Sequence, residues 1–257
     1  MKFEKIRFDL TDGIARIVFN DVANHHAVNL RVTQELAEAA RRCEAAPELC
    51  VVLMTAEGGE FSVGGDLREF MAERDRIQAH VREMTVNFHA AILTLNRLAA
   101  PLVVAVNGVA AGGGFSLVCT ADLAIAKRSA KFNFAYTRSG LTPDGGATFF
   151  LPRLVGAQRA FDLLATNPTL SADDALALGI LARVVDDSVF DAEVGKLVAQ
   201  LAAAPAGALG KLKQMLRASP SNSLEQQFEL EGRSIAGQAA NPATLAMLDA
   251  FFKRSNQ

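Results

Sequence analysis

Apolar and polar positions along the chain follow two periods, one of strands and one of helices. Residues 6–10 and 14–19 are short apolar-rich runs separated by Thr11-Asp12-Gly13, the pattern of a β-hairpin. Residues 20–29 are polar and predict a loop, with Asn29 placed to cap the helix that follows. Val32, Leu36, Ala39 and Cys43 recur at helical spacing, which predicts an amphipathic helix over 30–46 ended by Pro47. Residues 50–55 and 102–106 are unbroken apolar runs, the pattern of buried strands. Between them, 68–79 is charged and predicts a mobile surface segment. Val81, Met84, Phe88, Ala91 and Leu95 then mark a helix to about residue 97. A short strand is predicted at 122–127. Phe132, Phe134 and Tyr136 alternate with smaller residues and predict another β segment. From Ala157 the pattern turns mainly helical. Ser171 and Asp174 form a capping-box variant, and Gly179 ends that helix. After a strand at 183–185, helices are predicted at 189–203, 206–218, 222–237 and 242–254. Asn241-Pro242 supplies the cap and first-turn proline of the last one. Strand-turn-helix units followed by helices predict an α/β chain, with a core over 1–200 and a helical C-terminal region over 201–257.

Composition narrows the setting. Half of the 257 residues are hydrophobic, enough for one large core, or for one core plus a small appended helical domain. The net charge of -2 and pI near 6.1 argue against nucleic acid or an anionic membrane as partner. Cys43, Cys50 and Cys119 show no CxxC spacing and read as reduced core thiols of a cytoplasmic protein. The N-terminus has the pattern of neither a signal peptide nor a transit peptide. The apolar region 98–126 is long enough to span a bilayer. Pro101, Asn107, three consecutive glycines and Asp122 interrupt it, so buried core is expected instead.

Two glycine turns carry the candidate chemistry. Gly64-Gly65 follows one buried strand, and Gly112-Gly113-Gly114 follows another and opens an apolar helical segment. Glycine lets backbone amides approach a ligand, and the first N–H groups of a helix lack partners. Each turn reads equally as a tight turn that packs a helix on a sheet. Brought together, two such amides would bind one oxyanion. The GxGxxG dinucleotide spacing is absent.

At this point the sequence resembles the crotonase (enoyl-CoA hydratase/isomerase) superfamily over nearly its whole length. The resemblance is carried by Phe61-Ser62-Val63-Gly64-Gly65-Asp66-Leu67, by 101–114, by Ala121-Asp122-Leu123-Ala124-Ile125-Ala126, and by Ala130-Lys131-Phe132. It continues in Pro143-Asp144-Gly145-Gly146 and in Leu151-Pro152-Arg153-Leu154-Val155-Gly156. It implies a crotonase-like spiral of ββα units, a helical trimerisation region, and an acyl-CoA substrate bound by a homotrimer or homohexamer. It places the oxyanion donors at the N–H groups of Gly65 and Gly113. It implies no metal and no cofactor beyond the CoA moiety of the substrate. Ala27 and Val63 would meet the adenine end of CoA and Arg68 a phosphate. Phe252-Lys253-Arg254 resembles a segment that contacts CoA from a neighbouring subunit, which makes Lys253 the contact. The basic residues usual before Ala27 are replaced by His25 and His26.

Side chains beside the amide pair decide the reaction. At the two positions where hydratases of the family carry glutamates stand Ser116 and Tyr136. Neither is a carboxylate base at neutral pH, which argues against 2-enoyl-CoA hydration. The motif around Asp144 is similar to ring-epoxide isomerases of phenylacetyl-CoA breakdown and to Δ3,Δ2-enoyl-CoA isomerases, where the matching aspartate shuttles a proton. Asp144 alone reads as a turn residue as well. Residues 107–170 also resemble 4-chlorobenzoyl-CoA dehalogenases, in which His89 would match a water-activating histidine and Asp144 the nucleophile. There the residue matching Tyr136 is a tryptophan, and this chain has none. Tyr136 walls the acyl pocket or donates a hydrogen bond in these readings, or is an ordinary strand aromatic. The expectation is thus a double-bond or ring isomerase, with dehalogenase-like hydrolysis and an inactive CoA-thioester binder as alternatives.

Overall fold

A computed structural model of the chain describes residues 1–255. β1 (Ile6–Thr11) and β2 (Ile14–Phe19) pair antiparallel about Asp12 and Gly13, both at positive φ as a two-residue hairpin turn requires. α1 (Leu30–Glu44) is capped by Asn29, whose side-chain oxygen accepts from the Val32 N–H at 2.9 Å. The chain then repeats one step. β3 (Val51–Ala56) enters a first sheet and β4 (Glu60–Ser62) a second, before α2 (Leu67–Ala72) and α3 (Ile77–Arg97). β5 (Leu102–Val106) and β6 (Val109–Ala111) do the same before α4 (Gly113–Cys119). β7 (Leu123–Lys127) and β8 (Lys131–Asn133) precede α5 (Ala147–Val155) and α6 (Ala157–Thr166). β9 (Leu170–Ser171), α7 (Ala172–Ala177) and β10 (Arg183–Val185) complete the two sheets, ordered β1-β2-β3-β5-β7-β10 and β4-β6-β8-β9. α8 (Phe190–Ala202), α9 (Ala206–Ala218), α10 (Leu224–Ala239) and α11 (Pro242–Ser255) follow.

β3, β5 and β7 run parallel, as do β4, β6 and β8, so each turn of the chain adds one strand to each sheet. The unbroken apolar runs follow from this, because helices cover the first sheet on both faces. Val52, Val104 and Val106 join the main core with Leu36 and Leu95. Val51, Leu53, Val103 and Ala105 face the other way, onto Phe190, Val194, Leu197 and Val198 of α8. Each valine or leucine buried this way contributes about 1.5–3 kcal/mol. The capping box at the start of α7 is present, with Ser171 and Asp174 bonded reciprocally.

The second sheet positions the site. Its three parallel neighbours, β4, β6 and β8, end on the same edge, so the turns that leave them lie side by side. Beyond them, the ammonium of Lys213 on α9 ties the helical region to the core. It donates to the Leu95 and Ala100 carbonyls at 3.2 and 2.9 Å and to Asp122 Oδ2 at 2.8 Å. Arg217 takes Asp122 Oδ1 at 2.6 Å. Burial holds the Lys213 ammonium below its ordinary pKa, opposed by the Asp122 charge.

Four expectations from the sequence are corrected. Residues 68–79 are helical over most of their length: Asp66 caps α2, accepting from the Arg68 and Glu69 N–H groups at 3.1 Å each, and α3 already starts at Ile77. The charged exterior of that segment masked Phe70, which lines the cavity described below together with the exposed Leu67. Tyr136 is not in a strand. β8 stops at Asn133 because Ala135 turns to φ +59°, and Tyr136 opens a 3-10 turn over Thr137–Ser139. The mainly helical stretch begins at Ala147, ahead of Ala157. Cys43 and Cys119 are buried, but Cys50 is only half-buried, beside the hairpin turn.

Candidate active site

The turns after β4 and β6 touch. Gly64 has φ +89°, and a Cβ there would sit 2.8 Å from the Ala111 carbonyl oxygen and 3.2 Å from the Gly113 nitrogen. Only glycine allows that approach. Gly114 is equally confined, since a Cβ on it would lie 2.7 Å from the Cβ and carbonyl oxygen of Ser62. Ser62 Oγ in turn accepts from the Gly64 N–H at 3.2 Å and donates to the His26 carbonyl at 2.8 Å, which fixes the first turn. Val28 bridges to Gly65 as a one-residue strand, through the Gly64 carbonyl and the Asp66 N–H. This pattern leaves the Gly65 N–H aside. Gly113 is the first residue of α4, where an N–H has no partner within the helix. Among the described residues neither amide finds a protein acceptor.

Both glycines line a cavity of about 260 Å³. Its walls are mostly apolar: Val63, Leu67 and Phe70 on one side, Met84 and Phe88 from α3 on another, and Phe134 and Leu141 closing it. Asp144 and Tyr136 also reach the lining. The Tyr136 hydroxyl donates to Asp144 Oδ1 at 2.7 Å and lies 2.9 Å from Ser116 Oγ. His89 Nε2 is 3.9 Å from Asp144 Oδ2 and accepts from the Gly145 N–H at 3.4 Å. Burial and then the Asp144 charge push the Tyr136 phenol above the ordinary tyrosine pKa, so it remains a donor.

The structure therefore brings Gly65, Gly113, Tyr136 and Asp144 onto one cavity, with Ser116 behind Tyr136 and His89 beside Asp144. Of the residues expected at CoA, Val63 lines the same cavity and Ala27 is buried next to it in the loop that carries Val28. Arg68 and Lys253 are exposed, on α2 and α11, and neither reaches the cavity. The side chain of Arg254 lies outside the described ones. The apolar wall went unread in the sequence. The face of α3 that includes Met84 and Phe88 was legible as core periodicity, whereas Phe70 had no signal within its charged surroundings. Among the described residues no group of three or more His, Cys, Asp or Glu side chains could hold a metal ion. No helix among them is long and apolar enough to cross a membrane.

Two sheets wound by repeated ββα turns, with paired glycine turns at one strand edge, define the crotonase fold. Residues 9–248 match the family described as Enoyl-CoA hydratase/isomerase, and the chain belongs to that family. It is 36% identical to 4-chlorobenzoyl coenzyme A dehalogenase-2 of Arthrobacter sp, over 92% of this chain and 86% of the relative. It is 32% identical to 1,2-epoxyphenylacetyl-CoA isomerase of Escherichia coli (strain K12), over 89% of this chain and 88% of that one. A crystal structure of an enoyl-CoA hydratase from Polaromonas sp. JS666 superposes with a TM-score of 0.91 at 26% identity, covering 97% of each chain. Membership thus makes this a crotonase-family acyl-CoA enzyme. The relatives span isomerase, dehalogenase and hydratase, and the choice among those reactions rests on side chains.

Proposed function

We propose that the protein isomerises a double bond, or a related strained ring, in an acyl-CoA, with Asp144 as the proton shuttle. The observation that carries this reading is a lone carboxylate on a cavity that two unpartnered glycine amides also line. In this reading the Gly65 and Gly113 N–H groups donate to the thioester oxygen. Asp144 Oδ2 takes a proton from the α-carbon, and the electron pair left behind is held as the enolate oxygen. Asp144 then returns the proton to the γ-carbon as the enolate collapses to the conjugated thioester. One oxyanion donor of this kind is worth roughly 3 kcal/mol of barrier. Hydration is disfavoured, because Ser116 and Tyr136 hold the positions of the hydratase glutamates and neither activates water as a carboxylate would. The test is a series of 3-enoyl-CoA thioesters followed by the absorbance of the conjugated product. Formation of that product supports isomerisation, and binding without turnover points to a CoA-thioester binder.

His89 supports a second reading. Its Nε2, 3.9 Å from Asp144 Oδ2, is placed to deprotonate a water beside that carboxylate. In an aryl-CoA, Asp144 would attack the ring carbon bearing a halide, expel the halide and form an aryl ester. The water would then cleave that ester, restoring Asp144 and leaving a hydroxyaryl-CoA. Chloride release from 4-chlorobenzoyl-CoA distinguishes this path.

We propose further that residues 201–257 form the assembly region of a homotrimer or dimer of trimers. Leu216, Phe228 and Ile235 are 65%, 62% and 72% exposed in the single chain, an apolar face that a second copy would cover. Light scattering during gel filtration reads the mass directly, and a monomer contradicts it.

A further inference from the structure

Ser116 and Tyr136 stand where hydratases of the family carry glutamates. Their geometry gives them a use of their own. A tyrosine hydroxyl has one proton. With Asp144 ionised, that proton goes to Oδ1, 2.7 Å away. The phenol oxygen then accepts, and the hydroxyl that can donate to it is Ser116 Oγ at 2.9 Å. The other acceptor within reach of Ser116, the Gly112 carbonyl, is farther, at 3.3 Å. Proton counting therefore orders the three oxygens in one direction, from Ser116 to Tyr136 to Asp144.

We propose that Ser116 and Tyr136 form a positioning relay that holds Asp144 Oδ1 and leaves Oδ2 as the working oxygen. What Oδ2 works on rests on the isomerase reading above; the relay itself does not. Two features keep it rigid. Ser116 is fully buried one helical turn after Gly113, so the same turn of α4 carries an oxyanion donor and the root of the relay. Gly145, at φ +59°, leans directly on that turn, since a Cβ there would lie 2.9 Å from Ser116 Cβ. The base is thereby held at a fixed place relative to the amides. Hydrogen bonds in series also strengthen one another.

The test is the titration of Asp144 in substrate-free protein, by carbon-13 NMR of aspartate-labelled chain, with Asp144→Asn assigning the resonance. Tyr136→Phe is expected to raise the midpoint by about one pH unit or more, the effect of losing a hydrogen bond to a charged group. Ser116→Ala is expected to raise it in the same direction by about half a unit or less. Added to Tyr136→Phe, the serine change is expected to do nothing further, because Ser116 acts only through the phenol. Each substitution removes a single oxygen. Should Ser116→Ala fail to fold, Ser116→Cys, a weaker donor, is expected to give a smaller upward shift. The proposal is overturned if the serine variant leaves the midpoint unchanged, lowers it, or shifts it equally without the phenol. The titration needs no turnover. The expected shifts in a protein inert to every 3-enoyl-CoA would keep the relay and remove the isomerase.

Discussion

The site has two halves, and they are made differently. On one side, Gly65 and Gly113 offer backbone N–H groups at turns that the parallel second sheet brings together. On the other, Asp144, Tyr136, Ser116 and His89 offer side chains hung on a loop, a 3-10 turn and two helices. The backbone half is fixed by close approach: Gly64 tolerates no Cβ against the Ala111 carbonyl. Its chemistry is general, because an amide pair steadies any thioester oxyanion. The side-chain half is fixed by hydrogen bonds among a few polar atoms, and its chemistry is particular.

That contrast can be attacked from both sides. The largest effect is expected from Asp144→Asn, which leaves both amides in place. Turnover of a 3-enoyl-CoA should fall by about 10²–10⁴-fold, the range of a lost general base, while binding of the thioester measured by calorimetry stays within a few-fold. Gly64→Ala strikes the other half. The strained φ and the clash with the neighbouring turn should cost about 1–3 kcal/mol of stability in denaturant melts. Displacing one amide should lower turnover by about 10²–10³-fold even in the folded fraction. His89→Ala separates the two readings of the side-chain half. Isomerisation should change by less than about tenfold, whereas a hydrolytic path that relies on this base should lose about 10²-fold or more and accumulate an ester on Asp144 detectable by mass spectrometry.

The smallest effect is spectroscopic. Tyr136 is the chain's only tyrosine, so tyrosinate absorbance reports it alone. Its folded pKa is raised, by burial first and by Asp144 second. The stability tied to its protonated form is therefore whole below the ordinary value of about 10 and drains as pH climbs from there through the folded value. No tyrosinate signal is expected from the folded protein near pH 10, and Asp144→Asn should move the midpoint down. A signal near the ordinary value in the intact protein would mean that the phenol faces solvent.

The two halves also differed in how far the sequence disclosed them. The glycine turns stood out because unbroken apolar runs precede them and because their motifs resemble those of one family, although the short strands β4 and β6 that lead directly into them were not read from the sequence. Asp144 was visible for the same reason. Tyr136 was misplaced: the alternation Phe132, Phe134, Tyr136 imitates a strand, and nothing local announces that Ala135 turns to positive φ. Helix α2 was hidden too, since across 67–79 the charged residues outnumber the two apolar ones that line the cavity. Hydrogen bonds such as Tyr136 to Asp144, within one loop, or Lys213 to Asp122, from the helical region to the core, are set by loop geometry and helix docking. They leave no periodic trace in the chain.

The most direct measurement follows a panel of 3-enoyl-CoA thioesters in parallel with the native protein and with Asp144→Asn, reading the rate at which the conjugated thioester forms. The account predicts rapid conjugation by the native protein and a loss of at least about 10²-fold in the variant with binding retained. Equal rates in the two proteins, or no conjugation by the native protein with any of the panel, would contradict it.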